Sequence, residues 1–392
     1  MKKRILFLSW RDIKAPKAGG AEVYTHEMLK RSNQVDYEFI HFSPKFEGCE
    51  SEEIIDGIRY VRGGEGPFSV ILEAKKYYNH HKEYIHYVVD QCNTHRFFTK
   101  FWVEKEKRIF FIHQLTREIW DYNLKFPFNV IGRKAENLLL KLSKNDPTIT
   151  VSQSTKDDLV SVGFNKDKIT ILPEGIDFKP WTWQQFYPKS KDPIFIYVGR
   201  FSNYKGIDKV IQSFIKFKSR YYRSQLWIVG KKDQDYIDNV IDKIIKNEAA
   251  DPIQTTIDIT YFGYVSQEEK LKLMSQAHAL IFPSTREGWG LVITEAAAVG
   301  TPSIGFNSPG IRDALKYGEA GYLCKKNTID EIYENMTRVY ENKDEYREIR
   351  KNAYEFALNF HWDNTAKEFN KFLDSLNGGK DEKDCNCAVN LQ

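Results

Sequence analysis

Cysteine is scarce in this chain. Five are spread over 392 residues, as Cys49, Cys92, Cys324, Cys385 and Cys387. An odd number at wide spacing is no disulfide framework, and a chain of this length buries a core without staples. Cys385 and Cys387 sit in a polar tail with no second pair to complete a zinc site, so they read as passive. Long apolar runs are missing too. The longest stretch without Asp, Glu, Lys or Arg, residues 296–311, is interrupted by Gly300, Pro302, Gly305, Pro309 and Gly310. A membrane span needs about 20 predominantly apolar residues, so none is expected. Near the N-terminus the apolar part is only residues 5–8, short of the roughly 7–15 of a secretory core, and reads as a first β-strand. An excess of one charge is also lacking: 58 basic residues stand against 54 acidic ones, a net charge of +4. That excludes a protein built around a long nucleic-acid track, while leaving room for a local basic patch. The reducing cytosol is the expected compartment.

What is present is a globular composition, 41% hydrophobic and 29% charged, which excludes a disordered chain. At roughly 100–200 residues per domain the length predicts two domains. Short apolar runs at 4–10, 35–42, 58–62, 84–89, 108–112 and 148–151 read as strands, with helical stretches at 21–31, 134–142 and 153–162 between them. Alternation of this kind predicts a parallel sheet wrapped by helices. Residues 173–193 break the rhythm with Pro173, Pro180, Pro188 and Pro193 among Trp181, Trp183, Phe186 and Tyr187, which suits an anchored linker. The pattern then restarts, with strands at 194–198, 225–229, 260–262, 279–282 and 302–305 that end in Gly or Pro-Ser. In open α/β sheets, ligands bind at those carboxyl ends. The expected architecture is therefore two Rossmann-like α/β domains facing an interdomain cleft. The first covers 1–178 and is joined by a C-terminal helix at about 362–377. The second covers 190–361, and 378–392 is expected to be a disordered tail.

Several familiar chemistries are absent. No GxxxxGK[ST] loop, GxGxxG turn or GxSxG elbow exists, and His26-Glu27 fails the HExxH pattern because Lys30 holds the second histidine's place. His80, His81 and His86 read as a polar helix face. Four clusters can carry chemistry. Glu287 and Glu295 bracket a loop-to-helix junction in which Gly288 and Gly290 permit close backbone approach. The first amides of that helix suit a phosphate, and Glu295, about one turn in, can reach a ribose diol. Arg200 and Lys205 follow a strand end at Gly199 and suit a diphosphate whose charge grows as it leaves. Gly19-Gly20 after the first strand can form an anion nest. His113 ends an apolar strand and can hydrogen-bond a sugar hydroxyl. Each also has a plainer reading: a capped helix, a salt-bridged surface loop, a tight turn, a structural histidine.

Taken in order, the markers GGAE at 19–22, IH at 112–113, TVSQST at 150–155, ILPEGID at 171–177, VGRFSNYKG at 198–206, FGYVS at 262–266, FPSTREGWGLVITEAAAVGTPSI at 282–304 and SPGIRDAL at 308–315 resemble the GT-B glycosyltransferases of family 4, a retaining family. The resemblance covers most of the chain. It implies that Arg200 and Lys205 neutralise the diphosphate of a nucleotide-sugar donor, UDP- or GDP-linked, and that Glu295 holds the ribose. It gives Glu287 the donor sugar's hydroxyls and His113 the transferred sugar. Gly19, Gly20, Gly199, Gly288, Trp289, Gly290 and Leu291 complete the expected donor site. Retention of anomeric configuration and independence of metal or other cofactor follow from it, while the negative charge that develops on the diphosphate favours its departure from the face the acceptor attacks. One departure is that Gly310 is followed by Ile311-Arg312-Asp313 where the family often has a second glycine.

Residues 96–117, with Trp120, Phe126 and Phe128, interleave aromatic and cationic side chains. They suggest peripheral contact with the inner face of a membrane and a carbohydrate or lipid-linked acceptor, as in cell-surface polysaccharide or glycolipid assembly. A nucleotide-sugar epimerase-like enzyme on the same fold is the alternative.

Overall fold

The computed structural model describes residues 2–92 and 96–388. Contacts divide the chain into two units: Met1–Leu115, Glu136–Gly175 and His361–Gln392 form one, and Thr116–Ala135 with Ile176–Phe360 the other.

The first unit holds β1 (Lys3–Leu8), β2 (Tyr37–Ser43), β3 (Glu52–Ile55), β4 (Ile58–Arg62), β5 (Ile85–Cys92), β6 (Arg108–Ile112), β7 (Thr148–Thr150) and β8 (Ile169–Ile171), in the order β3-β4-β2-β1-β5-β6-β7-β8. Ile5, Leu6, Phe7 and Leu8 of β1 are all fully buried, as a central strand covered on both faces requires. Seven strands pair in parallel and β3 alone runs antiparallel, joined to β4 by Asp56-Gly57, both at positive φ. An Asp-Gly pair is the turn that a two-residue hairpin demands, and the sequence carried it unread. The helix Trp362–Ala388 packs here: Trp362 lies edge-on to Tyr24 with centroids 5.4 Å apart, and Phe369 meets Phe7 at 6.0 Å. The expected tail, 378–392, falls on the end of this helix as far as Ala388, and residues 389–392 lie outside the described residues, as do the side chains of Cys385 and Cys387. His86 stands on β5, not on the helix Pro67–His81 that carries His80 and His81.

The second unit holds β9 (Ile194–Val198), β10 (Gln225–Val229), β11 (Ile259–Gly263), β12 (Ala279–Phe282), β13 (Ser303–Gly305) and β14 (Tyr322–Leu323), all parallel, in the order β11-β10-β9-β12-β13-β14. The chain lays β10 and β11 on one side of β9 and then returns to place β12 on the other. Loops leaving β9 and β12 thus diverge, which opens a crevice at their carboxyl ends. The helix Ile207–Lys218 buries Val210, Ile211, Phe214 and Phe217 along one stripe, the spacing of an amphipathic core helix.

The linker is stitched to this second unit. Trp181 N–H donates to the Ala298 carbonyl (3.0 Å), and the rings of Trp183 and Phe186 pack on Tyr354. Lys189 is half-buried, and its ammonium donates to the carbonyls of Ser275 (2.8 Å) and Ala277 (2.6 Å) and to Thr301 Oγ1 (2.6 Å). Three acceptors for three N–H bonds explain how a lysine is tolerated there. One segment departs from the expected boundaries: residues 116–135 group with the second unit because Glu118 and Tyr122 bond to Arg286 and Thr285.

Candidate functional site

The crevice of the second unit is built from three loops. At the end of β9, Gly199 donates its N–H to the Val229 carbonyl (3.0 Å), so its amide serves the sheet rather than a ligand. Tyr197 O–H donates to the Arg200 carbonyl at 2.8 Å and fixes the next step of the chain. A single turn, Asn203–Lys205, follows and is closed by Gly206 at φ +74. A β-carbon on Gly206 would lie 2.6 Å from the carbonyl oxygen of Pro283; glycine is what lets the loops after β9 and β12 touch. They are then joined directly, since the Tyr204 carbonyl accepts from Thr285 N–H (2.8 Å) and Ser284 Oγ (3.3 Å). The third loop, after β13, meets them where Glu287 N–H donates to the Pro309 carbonyl (3.1 Å) beside left-handed Gly310.

This convergence brings Lys205 onto Glu287. Their ammonium and carboxylate form an ion pair whose side chains are 13% and 14% exposed. The Lys205 nitrogen also lies 5.3 Å from the Tyr204 ring and 5.4 Å from the Phe282 ring. A cation so placed is partly desolvated, and any anion reaching it is attracted more strongly than at an open surface. Arg200 is exposed and lines a separate recess of about 490 Å³ with Lys231, Lys232, Asp233 and Asp235. Asp233 and Asp235 thus border a basic hollow.

Gly290, at φ +99, opens the helix Leu291–Ala298. Glu295 lies in its second turn, 5% exposed, and both carboxylate oxygens accept from Lys270 Nζ at 2.8 Å. Lys270 was invisible in sequence: it sits four residues after Ser266, which caps its helix, and only the fold brings it to Glu295. Trp289 differs from expectation. Its indole is buried, donates Nε1–H to Thr294 Oγ1 (2.9 Å) and packs 4.8 Å from the Phe360 ring, so it supports the loop from beneath and offers no ring to a ligand. Arg286, inside a recognised marker but given no role, is buried and donates Nε–H to Glu118 at 2.6 Å. Arg312 donates to the Asn307 carbonyl (3.0 Å), bracing its own loop.

In the first unit, Gly19 starts the helix Gly20–Arg31, and its N–H donates to Glu22 Oε2 at 2.7 Å. Arg11 lies 3.3 Å from the other oxygen of that carboxylate. A side-chain anion therefore already occupies the amide end at Gly19 that was read as a nest. His113 follows β6 and is buried, which pushes its pKa down to about 3 and keeps the ring neutral. The Gln91 amide lies 3.2 Å from its Nε2, Glu174 Oε1 lies 3.9 Å from its Nδ1, and Tyr24 meets the ring edge-on at 4.9 Å. With the amide donating to Nε2, the proton sits on Nδ1 toward Glu174. Half of the phenylalanines and tryptophans at 96–117 prove to be core: Phe97, Phe110 and Phe111 are buried while Phe101 is exposed, and Arg96 bonds to Ser143 Oγ (2.5 Å) over the Phe110 ring. Among the described residues no group of three or more His, Cys, Asp and Glu is placed to hold a metal ion, and no helix is long and apolar enough to cross a membrane.

A family model described as Glycosyl transferases group 1 matches residues 180–356, and one described as Glycosyltransferase Family 4 matches 18–179. The chain belongs to the group 1, family 4 glycosyltransferases. A glycogen synthase of Mycobacterium tuberculosis is 29% identical over 187 residues, 47% of this chain and 43% of that protein. The chain spans about half the length of the curated relatives it matches. Among solved structures, the sucrose-phosphate synthase of Thermosynechococcus elongatus has a TM-score of 0.74 at 19% identity, covering 96% of this chain and 100% of its own. The Anabaena protein HepE in complex with UDP and glucose has a TM-score of 0.71 at 15% identity, covering 95% and 100%. These likenesses are of fold, and the fold of this group 1 glycosyltransferase is GT-B: two α/β units built on parallel sheets.

Proposed function

We propose that this glycosyltransferase moves a hexose from a nucleotide-diphosphate sugar to a hydroxyl acceptor with retention of configuration, and that the second unit binds the donor. The carrying observation is the Lys205–Glu287 pair, set by glycines at the switch point where β9 and β12 diverge. Arg200 and Lys205 neutralise the diphosphate, Glu287 accepts hydrogen bonds from the sugar, and Glu295 with Lys270 receives the ribose. Leu291 begins the helix whose amide end meets the phosphates, with Gly288 and Gly290 keeping the approach open. In the first unit, Gly19 and Gly20 contribute to donor binding, and neutral His113 serves the transferred sugar as a hydrogen-bonding group and not a proton carrier.

Cleavage of the sugar–phosphate bond places negative charge on the diphosphate and positive charge on the anomeric carbon. Two cations and a helix terminus stabilise the first. The acceptor hydroxyl attacks from the same face and passes its proton to the departing phosphate oxygen, so no protein nucleophile takes part. Protein cations do the work a metal does elsewhere, and activity is expected to survive EDTA. UDP is the favoured carrier, in keeping with the UDP and glucose of the HepE complex, and a lipid-linked or polysaccharide acceptor at the inner membrane face is the favoured setting. Thermal shifts against UDP, GDP, dTDP and ADP sugars test the donor: a ligand at 100 times its Kd adds about 2.7 kcal/mol. Proton NMR of the product then reads the anomeric configuration, and an inverted product overturns the scheme.

A further inference from the structure

Residues 122–135, Tyr-Asn-Leu-Lys-Phe-Pro-Phe-Asn-Val-Ile-Gly-Arg-Lys-Ala, contain three cations and no acid. Six large apolar side chains in this stretch are exposed: Tyr122, Leu124, Phe126 (81%), Phe128 (64%), Val130 and Ile131 (56%). The helix Phe128–Leu140 is amphipathic with its apolar stripe turned outward. Phe128, Ile131 and Leu138 follow one another at helical spacing, and all three face solvent. The opposite side is the one that packs. Gly132 lies under the Trp120 indole, where a β-carbon would come within 2.7 Å of the ring. Asp121 accepts from Asn129 at 2.7 Å and pairs with Arg133. The tip is thus held rigidly with its apolar face out, and exposed Lys125 and Lys134 flank that face. A contiguous apolar patch of this kind marks an interaction surface rather than ordinary exposure.

We propose that this tip docks on an anionic lipid bilayer, Phe126, Phe128 and Ile131 entering the boundary between headgroups and acyl chains while Lys125 and Lys134 meet lipid phosphates. The charge selects the occupant: apolar groups flanked by Lys125 and Lys134, with the adjacent Asp121 already matched by Arg133, suit a negatively charged membrane surface. The inference rests on the reading of a membrane-facing acceptor and names the surface and lipid class. Of the stretch read in the sequence it keeps Phe126 and Phe128 and sets aside Phe97, Phe110 and Phe111, which are core.

The test is sedimentation of the full chain with phosphatidylcholine vesicles, with and without phosphatidylglycerol, at low and high salt. Expected are binding to the anionic vesicles only, weakened by salt. The Phe126→Ser/Phe128→Ser variant should lose at least about tenfold in partitioning, and Lys125→Gln and Lys134→Gln about fivefold each at low salt. No binding of the wild type to anionic vesicles overturns the proposal, as does equal binding of wild type and variants. Light scattering that shows a dimer which the Phe126→Ser/Phe128→Ser variant converts to monomer also overturns it, since the surface then belongs to a second copy. A UDP thermal shift on the same proteins reports the donor site separately, so its absence in the wild type bears on the proposed function alone.

Discussion

Replacing Lys205 by methionine separates the structural from the chemical role of the Lys205–Glu287 pair. The two side chains are 13% and 14% exposed. Removing the ammonium leaves a carboxylate largely out of water without its partner. A fully buried pair broken in this way costs about 3–5 kcal/mol, and the residual solvent here lowers that to roughly 2. For a unit of this size, ~2 kcal/mol is a fall of about 4–8 °C in Tm. The double variant Lys205→Met/Glu287→Gln removes both charges and should regain most of that stability. Turnover should behave differently. Loss of one preorganised cation at a leaving group costs ~10²–10³ in kcat, and the double variant should remain as slow as the single or slower. Tm by differential scanning fluorimetry and nucleotide release under saturating donor, taken below both melting temperatures, give the two readouts. Recovery of both stability and turnover in the double variant would refute the assignment and leave the pair a structural strut. So would a single variant within tenfold of wild-type turnover.

Two further outcomes follow from the same geometry. Burial lowers the pKa of His113 to about 3 and those of His41 and His278 to about 4; folded, these rings stay neutral while the unfolded chain takes up their protons near pH 6.5. Their stabilisation is therefore intact above pH 6.5 and is lost as pH falls from there toward 4, each at up to ~1.4 kcal/mol per pH unit. His278→Gln, which keeps an acceptor for Ile194 N–H, should flatten the acid limb of Tm against pH by about a third. An unchanged slope would count against the neutral ring. Gly206→Ala places a β-carbon against the Pro283 carbonyl at a left-handed position; about 1–2 kcal/mol of backbone strain should part the loops and cut kcat while circular dichroism stays native.

Much of this was legible in sequence because the markers are contiguous. Strands ending in Gly, the Pro- and Trp-rich linker, and Lys205 and Glu287 all sit in short windows whose local chemistry points one way. What escaped needed partners distant in the chain. Lys270 reaches Glu295 across 25 residues and Arg286 reaches Glu118 across 168, and neither pairing has a periodic signature. Trp289 was expected in the donor site, but the inward fold of its indole, which satisfies N–H and ring together, has no signature in the sequence. In the 96–117 stretch, composition alone did not separate core from surface. Interleaved aromatics and cations are equally the pattern of a β-strand and its neighbours in which Arg96 caps Phe110 from inside.

The charge arrangement of the donor unit carries one more consequence under the proposed function. Both carboxylates of the marker are matched by lysines, Glu287 by Lys205 and Glu295 by Lys270, whereas Arg200 is exposed and in no ion pair among the described residues. An incoming diphosphate therefore meets Arg200 first at little cost, but must draw Lys205 from Glu287 to gain the second cation. That exchange releases the Glu287 carboxylate, which would be left uncompensated in a poorly hydrated place unless hydroxyls reach it. A donor sugar supplies them; a bare nucleoside diphosphate does not. The intact donor should thus bind more tightly than its nucleoside diphosphate relative to what sugar contacts alone provide, and the difference should shrink in Glu287→Gln, where no charge is left behind. Calorimetric titration of both ligands against both proteins measures this directly, and an undiminished difference in Glu287→Gln would show that Lys205 stays on Glu287 throughout.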